Sequence, residues 1–113
     1  MTSIHRTNPS AKIAGLNDAF RRRPGPGWVL TRALTARGLS FVARAFREVV
    51  NFSAFTADND PHGEHDFGAF EIDGERVFWK IDYYDLELTE GSPDPADPSV
   101  TRRVLTVMLA SDY

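Results

Sequence analysis

Cysteine is absent from the 113-residue chain, which excludes a disulfide framework and thiolate-bound zinc and suits a reducing compartment. No stretch approaches the roughly 20 apolar residues that cross a bilayer. The opening MTSIHRTNPSAKIAGLNDAFRRR holds no continuous apolar segment of the export-signal kind, so a cytoplasmic protein without membrane contact is expected. Several catalytic fingerprints are missing as well. No GxSxG elbow, P-loop or dinucleotide-binding glycine pattern occurs, and Gly25 and Gly27 in PGPG read as turn residues between prolines. Internal repeats and low-complexity runs are lacking too.

What is present suffices for one core. A chain of this length makes a single domain that buries roughly 60 to 70% of its unfolded surface. Apolar residues at 42%, with eight Phe, three Tyr and two Trp, fill such a core without a metal or disulfide staple. Net charge is −3, yet residues 1–50 hold nine Arg and Lys against two acids, whereas residues 51–113 hold four against fourteen. That division implies a basic face for nucleic acid, an acidic face for a basic partner, or halves that interleave in the fold and neutralise one another.

After a flexible tail over residues 1–9, one α+β domain is expected over residues 10–113. Ile13, Leu16 and Phe20 recur at helical spacing, with Asn8 as N-cap and Pro9 in the first turn. PGPG ends that helix near Arg23, and Trp28 to Thr31 reads as a short buried strand. Leu39, Val42, Ala43, Phe46, Val49 and Val50 give the clearest periodic signal, an amphipathic helix with Arg44, Arg47 and Glu48 outward. Asp73-Gly74, flanked by aromatic and β-branched runs, predicts a two-residue hairpin turn.

That turn sets a register in which paired residue numbers sum to 147: Phe70 meets Val77, Gly68 meets Trp79 and, further out, His65 meets Asp82. One hairpin face is then core, with Gly68 leaving room for the Trp79 indole. The other mixes Phe67 and Phe78 with charges, so something must cover part of it. Asp97 as N-cap and Pro98 open a final helix carrying Val100, Val104, Val107 and Met108, with a strand as the alternative because VLTV is rich in β-branched residues. The predicted order is α-β-α-β-β-α, an antiparallel hairpin sheet with helices packed on one face.

Chemistry concentrates in DPHGEHDFG, Asp60 to Gly68. Asp60, His62, His65 and Asp66 are ligand types for a hard or borderline divalent metal. Named templates do not fit. An EF-hand register from Asp58 puts Gly63 at the sixth place but Ala69 at the twelfth, where a bidentate Glu is required, and the histidines are three apart rather than four. Convergence on one ion needs Pro61 and Gly63 to bend the chain. His65 and Asp82, as cross-strand neighbours, are the candidates for acid-base chemistry, since a carboxylate fixes an imidazole's tautomer; the same pair serves equally as an ordinary ion pair. Arg21, Arg22 and Arg23 offer a nucleic-acid contact, although cations at a helix end also complement its dipole. Asp58, Asp60, Glu64, Glu87, Glu90 and Asp94 form a candidate acidic interaction surface.

The segments IAGLNDAFRR, WVLTRAL, DNDPHGEHDFGAFEIDGERVFWKIDYYD and GSPDPADPSVTRRVLTVMLASDY resemble, over nearly the whole chain, a family of short bacterial proteins classed as a domain of unknown function. The resemblance implies no activity and no catalytic residue. Its members are often encoded on plasmids and other mobile elements, which implies an accessory or anti-defence role. Two functions are therefore expected. One is a non-catalytic interaction module without a cofactor, whose acidic surface binds a basic protein partner and which could also form a homodimer. The alternative is a metal-dependent hydrolase or nuclease, in which a divalent ion held by the cluster at residues 58–66 with Asp82 lowers the pKa of a bound water.

Overall fold

The computed structural model describes residues 9–113, so the Asn8 cap and the tail before Pro9 lie outside the described residues. Helix α1 is Pro9–Arg21, with proline in the first turn where its missing N–H is no loss. The prolines and glycines that follow deliver strand β1, Trp28–Leu30. Thr31 then caps one unforeseen helical turn, α2 (Arg32–Thr35), its hydroxyl accepting from the Leu34 N–H at 3.4 Å. Gly38, at φ +97°, redirects the chain into α3, Leu39–Val50.

Strands β2 (Phe67–Ile72) and β3 (Glu75–Tyr84) form the predicted hairpin, in register from Phe67 opposite Lys80 to Ile72 opposite Glu75. Asp73 and Gly74 take φ of +52° and +80°, as a tight twisted turn demands. Arg44 clamps this turn to α3 by donating to both Asp73 carboxylate oxygens, at 2.9 and 3.1 Å, and Arg37 pairs with Glu75 beside it.

The last element corrects the expected helix. Arg102–Leu109 is strand β4, lying between β1 and β3 in the sheet order β1-β4-β3-β2. Leu105, Val107 and Leu109 enter the core at period two, and the backbone groups of two neighbouring strands are satisfied only by an extended chain. Asp97 does cap and Pro98 does follow it, but they open only a single 3-10 turn, Pro98–Val100. Because β1 runs parallel to β4 while the other pairs are antiparallel, the sheet is mixed rather than a purely antiparallel hairpin sheet. A parallel neighbour requires a crossover, here the chain through α2, α3 and the hairpin.

Helix α3 packs through Phe41, Ala45 and Val49, so its inward face is rotated from the predicted stripe, and Leu39 is 89% exposed. These side chains meet Ile72, Val77, Trp79, Ile81, Leu105 and Val107. Gly68 is the floor beneath Trp79: a Cβ there would stand 2.3 Å from the indole Nε1 and 2.9 Å from Phe52 Cζ. On the opposite sheet face Phe67 and Phe78 pack at 5.3 Å between centroids, and the ring of Tyr113 lies 5.5 Å from Phe78 as the cover. Helix α1 buries Ile13, Ala14, Asn17 and Arg21, leaving Leu16 and Phe20 on its flank. Among the described residues no helix is long and apolar enough to cross a membrane.

Candidate functional site

DPHGEHDFG is a tightly bonded turn. Asp60, whose side chain is only 5% exposed, accepts the backbone N–H groups of Glu64 and His65 at 3.1 and 3.2 Å. Gly63 and His65 both adopt positive φ, +66° and +56°, which closes the turn on Asp60. The left-handed conformation of His65 breaks strand alternation one residue beyond the last ladder contact, Ile81 N–H to the Asp66 carbonyl at 2.8 Å. The expected pairing of His65 with Asp82 is therefore not formed. His65 turns inward to α1, where its Nδ1 lies 3.1 Å from both oxygens of Asp18, and Asp82 pairs with Lys80 at 2.9 Å.

One edge of the imidazole is engaged, while Nε2 makes no hydrogen bond among the described residues. Nδ1 donates to Asp18, Nε2 faces Asp60 at 3.8 Å, and the ring stacks on Phe55 at 4.0 Å with planes 1° apart. His62 stays exposed and does not converge with His65, and among the described residues no three His, Asp or Glu side chains form a metal-ligand set. Asp66 is half-buried, and burial foremost, then the nearby Glu64, hold its carboxyl above the usual range. Asp60, though counted in the acidic surface, is interior and unavailable to a partner.

Arg21 is likewise withdrawn from the basic trio. It is 2% exposed; it donates to the carbonyls of Val49 and Val50, at 2.9 and 3.4 Å, and to Asp18 at 3.0 Å. Those carbonyls end α3, where Val49 also accepts from the Phe52 N–H at 3.3 Å, so one buried guanidinium neutralises a helix terminus and joins two helices. Its Cζ also sits 5.3 and 5.5 Å from the ring centres of Phe55 and Trp79, a cation–π environment that replaces lost hydration.

Asn17, fully buried, extends this interior. Its amide donates to the Tyr83 hydroxyl at 2.8 Å and the Glu64 carbonyl at 3.0 Å, while its oxygen accepts from Arg103 Nε at 2.7 Å. Tyr83 in turn donates to Glu64 Oε1 at 2.9 Å, and burial pushes its phenol pKa well up. Sequence reasoning missed Asn17, Asp18, Tyr83 and Arg103 as a group. The available signal was Ile13, Asn17 and Arg21 at i, i+4 and i+8, a helix face closed by polar side chains.

Beside this interior lies an open cleft of about 600 Å³ between the flank of α1 and the start of β4. Leu16, Ala19, Phe20 and Pro98 give it apolar walls, and Arg22, Arg23 and Arg103 bring three cations, with Thr101 between. A second exposed feature is the loop after β3. Asp85 accepts from the Thr89 N–H at 2.9 Å and its own N–H donates to the Glu90 carbonyl at 2.9 Å, fixing a loop on which Leu86 and Leu88 are each 48% exposed. The Thr89 backbone foremost holds the Asp85 carboxyl below the usual range. Glu87 and Glu90 are exposed on the same loop, Asp94 is exposed just beyond it and Asp58 on a separate loop, whereas Glu64 is engaged by Tyr83.

A family model described as protein of unknown function (DUF3768) matches residues 30–112, most of the chain, so the chain belongs to that family. No curated protein and no solved structure matches it.

Proposed function

We propose that this member of a family without an assigned activity is a non-catalytic interaction module that binds a basic protein partner through the acidic loop after β3. The observation that carries this reading is the pair Leu86 and Leu88, each 48% exposed on a loop that is held rather than free. Leu88 stands at φ +60°, a conformation unfavourable for a side chain with a Cβ, and its N–H donates to the Asp85 carbonyl at 3.0 Å. A backbone that accepts strain to present two half-exposed leucines, instead of folding them in, leaves about half of the roughly 1.5 to 3 kcal/mol of full burial unused for each side chain. Such anchors inside a polar rim are the anatomy of a binding surface, and Glu87, Glu90 and Asp94 supply a field that steers a cationic partner. An accessory or inhibitory role of the kind implied by the mobile-element resemblance fits this surface.

Immobilised wild type, a Leu86→Ser/Leu88→Ser chain and a Glu87→Gln/Glu90→Gln chain, incubated with extract of the source cells, test the reading. Wild type is expected to retain a basic protein in a salt-sensitive manner. The serine chain should lose that protein, and the glutamine chain should bind it more slowly. Equal recovery on all three would reject the proposal.

A further inference from the structure

We infer that the cleft beside α1 is a binding site for a small organic anion, an apolar body carrying a phosphate or carboxylate head. Its walls divide accordingly. Leu16, Ala19, Phe20 and Pro98 offer a hydrophobic lining, and Arg22, Arg23 and Arg103 line the same space. Among the described residues no carboxylate lines it. A volume of about 600 Å³ lies within the range of small-molecule sites, roughly 300 to 1,000 Å³.

The three guanidinium groups are unlike Arg21. Arg103 spends Nε on Asn17 and one terminal nitrogen on the Pro95 carbonyl at 2.5 Å, and neither partner carries a charge. It is half-buried without an ion pair among the described residues, and burial draws its pKa down from the usual arginine value. Its Cζ lies 5.2 Å from the Tyr83 ring centre and Glu64 attracts it from within the interior, but among the described residues it has no direct carboxylate contact, the one an anion at the cleft would add. Arg22 and Arg23 are exposed and make no side-chain hydrogen bond or ion pair among the described residues, so both remain available. The α1 dipole accounts for cations at its C-terminal end, but Arg103 comes from β4 and still faces the same cleft. A planar fork donor suits both oxyanions, and the head group is therefore defined by its charge and oxygens.

The test is an amide NMR titration of the full chain with phenyl phosphate and with phenylacetate, against phenol and inorganic phosphate as body-only and head-only arms. Saturable shifts are expected at Leu16, Phe20, Thr101 and Arg103 with one or both amphiphilic anions, with affinity about tenfold or more above either fragment. Whichever anion binds more tightly identifies the head group. Arg22→Gln/Arg23→Gln removes two unpartnered side chains and should weaken binding about tenfold with the rest of the spectrum unchanged. Ala19→Trp fills the cleft from its exposed wall without replacing an arginine, and should abolish the shifts. Absence of saturable shifts up to about 10 mM, or unaltered binding by both variants, would overturn the assignment.

Discussion

The interior beneath α1 and the cleft on its flank are built from the same residue types, yet the interior is far more fully partnered, even though Arg21 Nε and Trp79 Nε1 are buried there without a hydrogen bond. Arg21 has two carbonyls, a carboxylate and two aromatic faces; Arg22 and Arg23, its sequence neighbours, have no side-chain partner among the described residues. Within the interior, Asp18 meets His65 and Arg21, and Asn17 meets Tyr83, Glu64 and Arg103. Such a network joins α1 to the sheet and to the 51–66 loop and so specifies how they dock. Polar density alone therefore does not mark a binding site. What separates architecture from a site is whether the groups already have partners, and by that measure DPHGEHDFG is architecture and the cleft is open.

The sharpest way to break this contrast is Arg21→Ala. The substitution takes the Arg21 donor from two α3 carbonyls, of which Val49 keeps the Phe52 N–H, removes the cation from Trp79 and Phe55, and leaves Asp18 with His65 alone. A loss of about 3 kcal/mol is expected, the lower end for breaking a buried pair because Asp18 keeps some solvent. Arg22→Gln/Arg23→Gln should stay within about 0.5 kcal/mol of wild type. Urea midpoints measure both. Comparable losses would erase the distinction between the regions.

Gly68→Ala probes the apolar wall on which Arg21 rests. The added methyl would enter the space of the Trp79 indole and push it toward the guanidinium, at a cost of about 2 kcal/mol from overpacking. Normal stability in urea would mean that Trp79 is free to yield and that the wall is not rigid.

Tyr83→Phe asks how far the network depends on one hydroxyl. Asn17 and Glu64 each lose a partner, and a loss of about 1 kcal/mol is expected at neutral pH. The pH dependence carries a definite sign. The folded state raises the Tyr83 pKa, chiefly through burial, so the neutral phenol is the form that folding favours. Its contribution is complete below the ordinary tyrosine pKa of about 10 and is lost as pH rises beyond it, because the unfolded chain then releases a proton that the folded chain retains. Melting temperatures between about pH 8 and 11 should fall more steeply for wild type than for the variant. Parallel slopes would place Tyr83 outside the interior.

The uneven legibility of the sequence follows the reach of each interaction. The hairpin register was readable because Asp73-Gly74 and period-two alternation act within a few residues. His65 was misplaced because the register was carried past a residue in the left-handed region, and nothing local announces that conformation in a histidine. VLTV was ambiguous between helix and strand until a position between β1 and β3 decided it, which is a non-local fact. Asn17 and Arg21 lay on a regular helical face, but a stripe sought among apolar residues passes them by. Arg22 and Arg23 were visible as part of a basic run, whereas their convergence with Arg103 depends on β4 returning beside α1.

The smallest expected effect has the opposite sign. Asp66 is the interior carboxylate least well served: burial dominates its environment, Glu64 repels it, and the attraction of His62 is the weakest influence on it. Its folded pKa is raised, so the ionised form is disfavoured by folding near neutral pH and the penalty fades as pH falls toward the ordinary carboxylate range. Asp66→Asn should therefore raise the melting temperature slightly at pH 7 and lose that advantage near pH 4, where the unfolded carboxyl is also protonated. Asp18→Asn, which weakens an occupied ion-pair position between Arg21 and His65, should lower the melting temperature at pH 7. If both substitutions move stability in the same direction, partner satisfaction is not what distinguishes these carboxylates, and the division between a closed interior and an open cleft loses its basis.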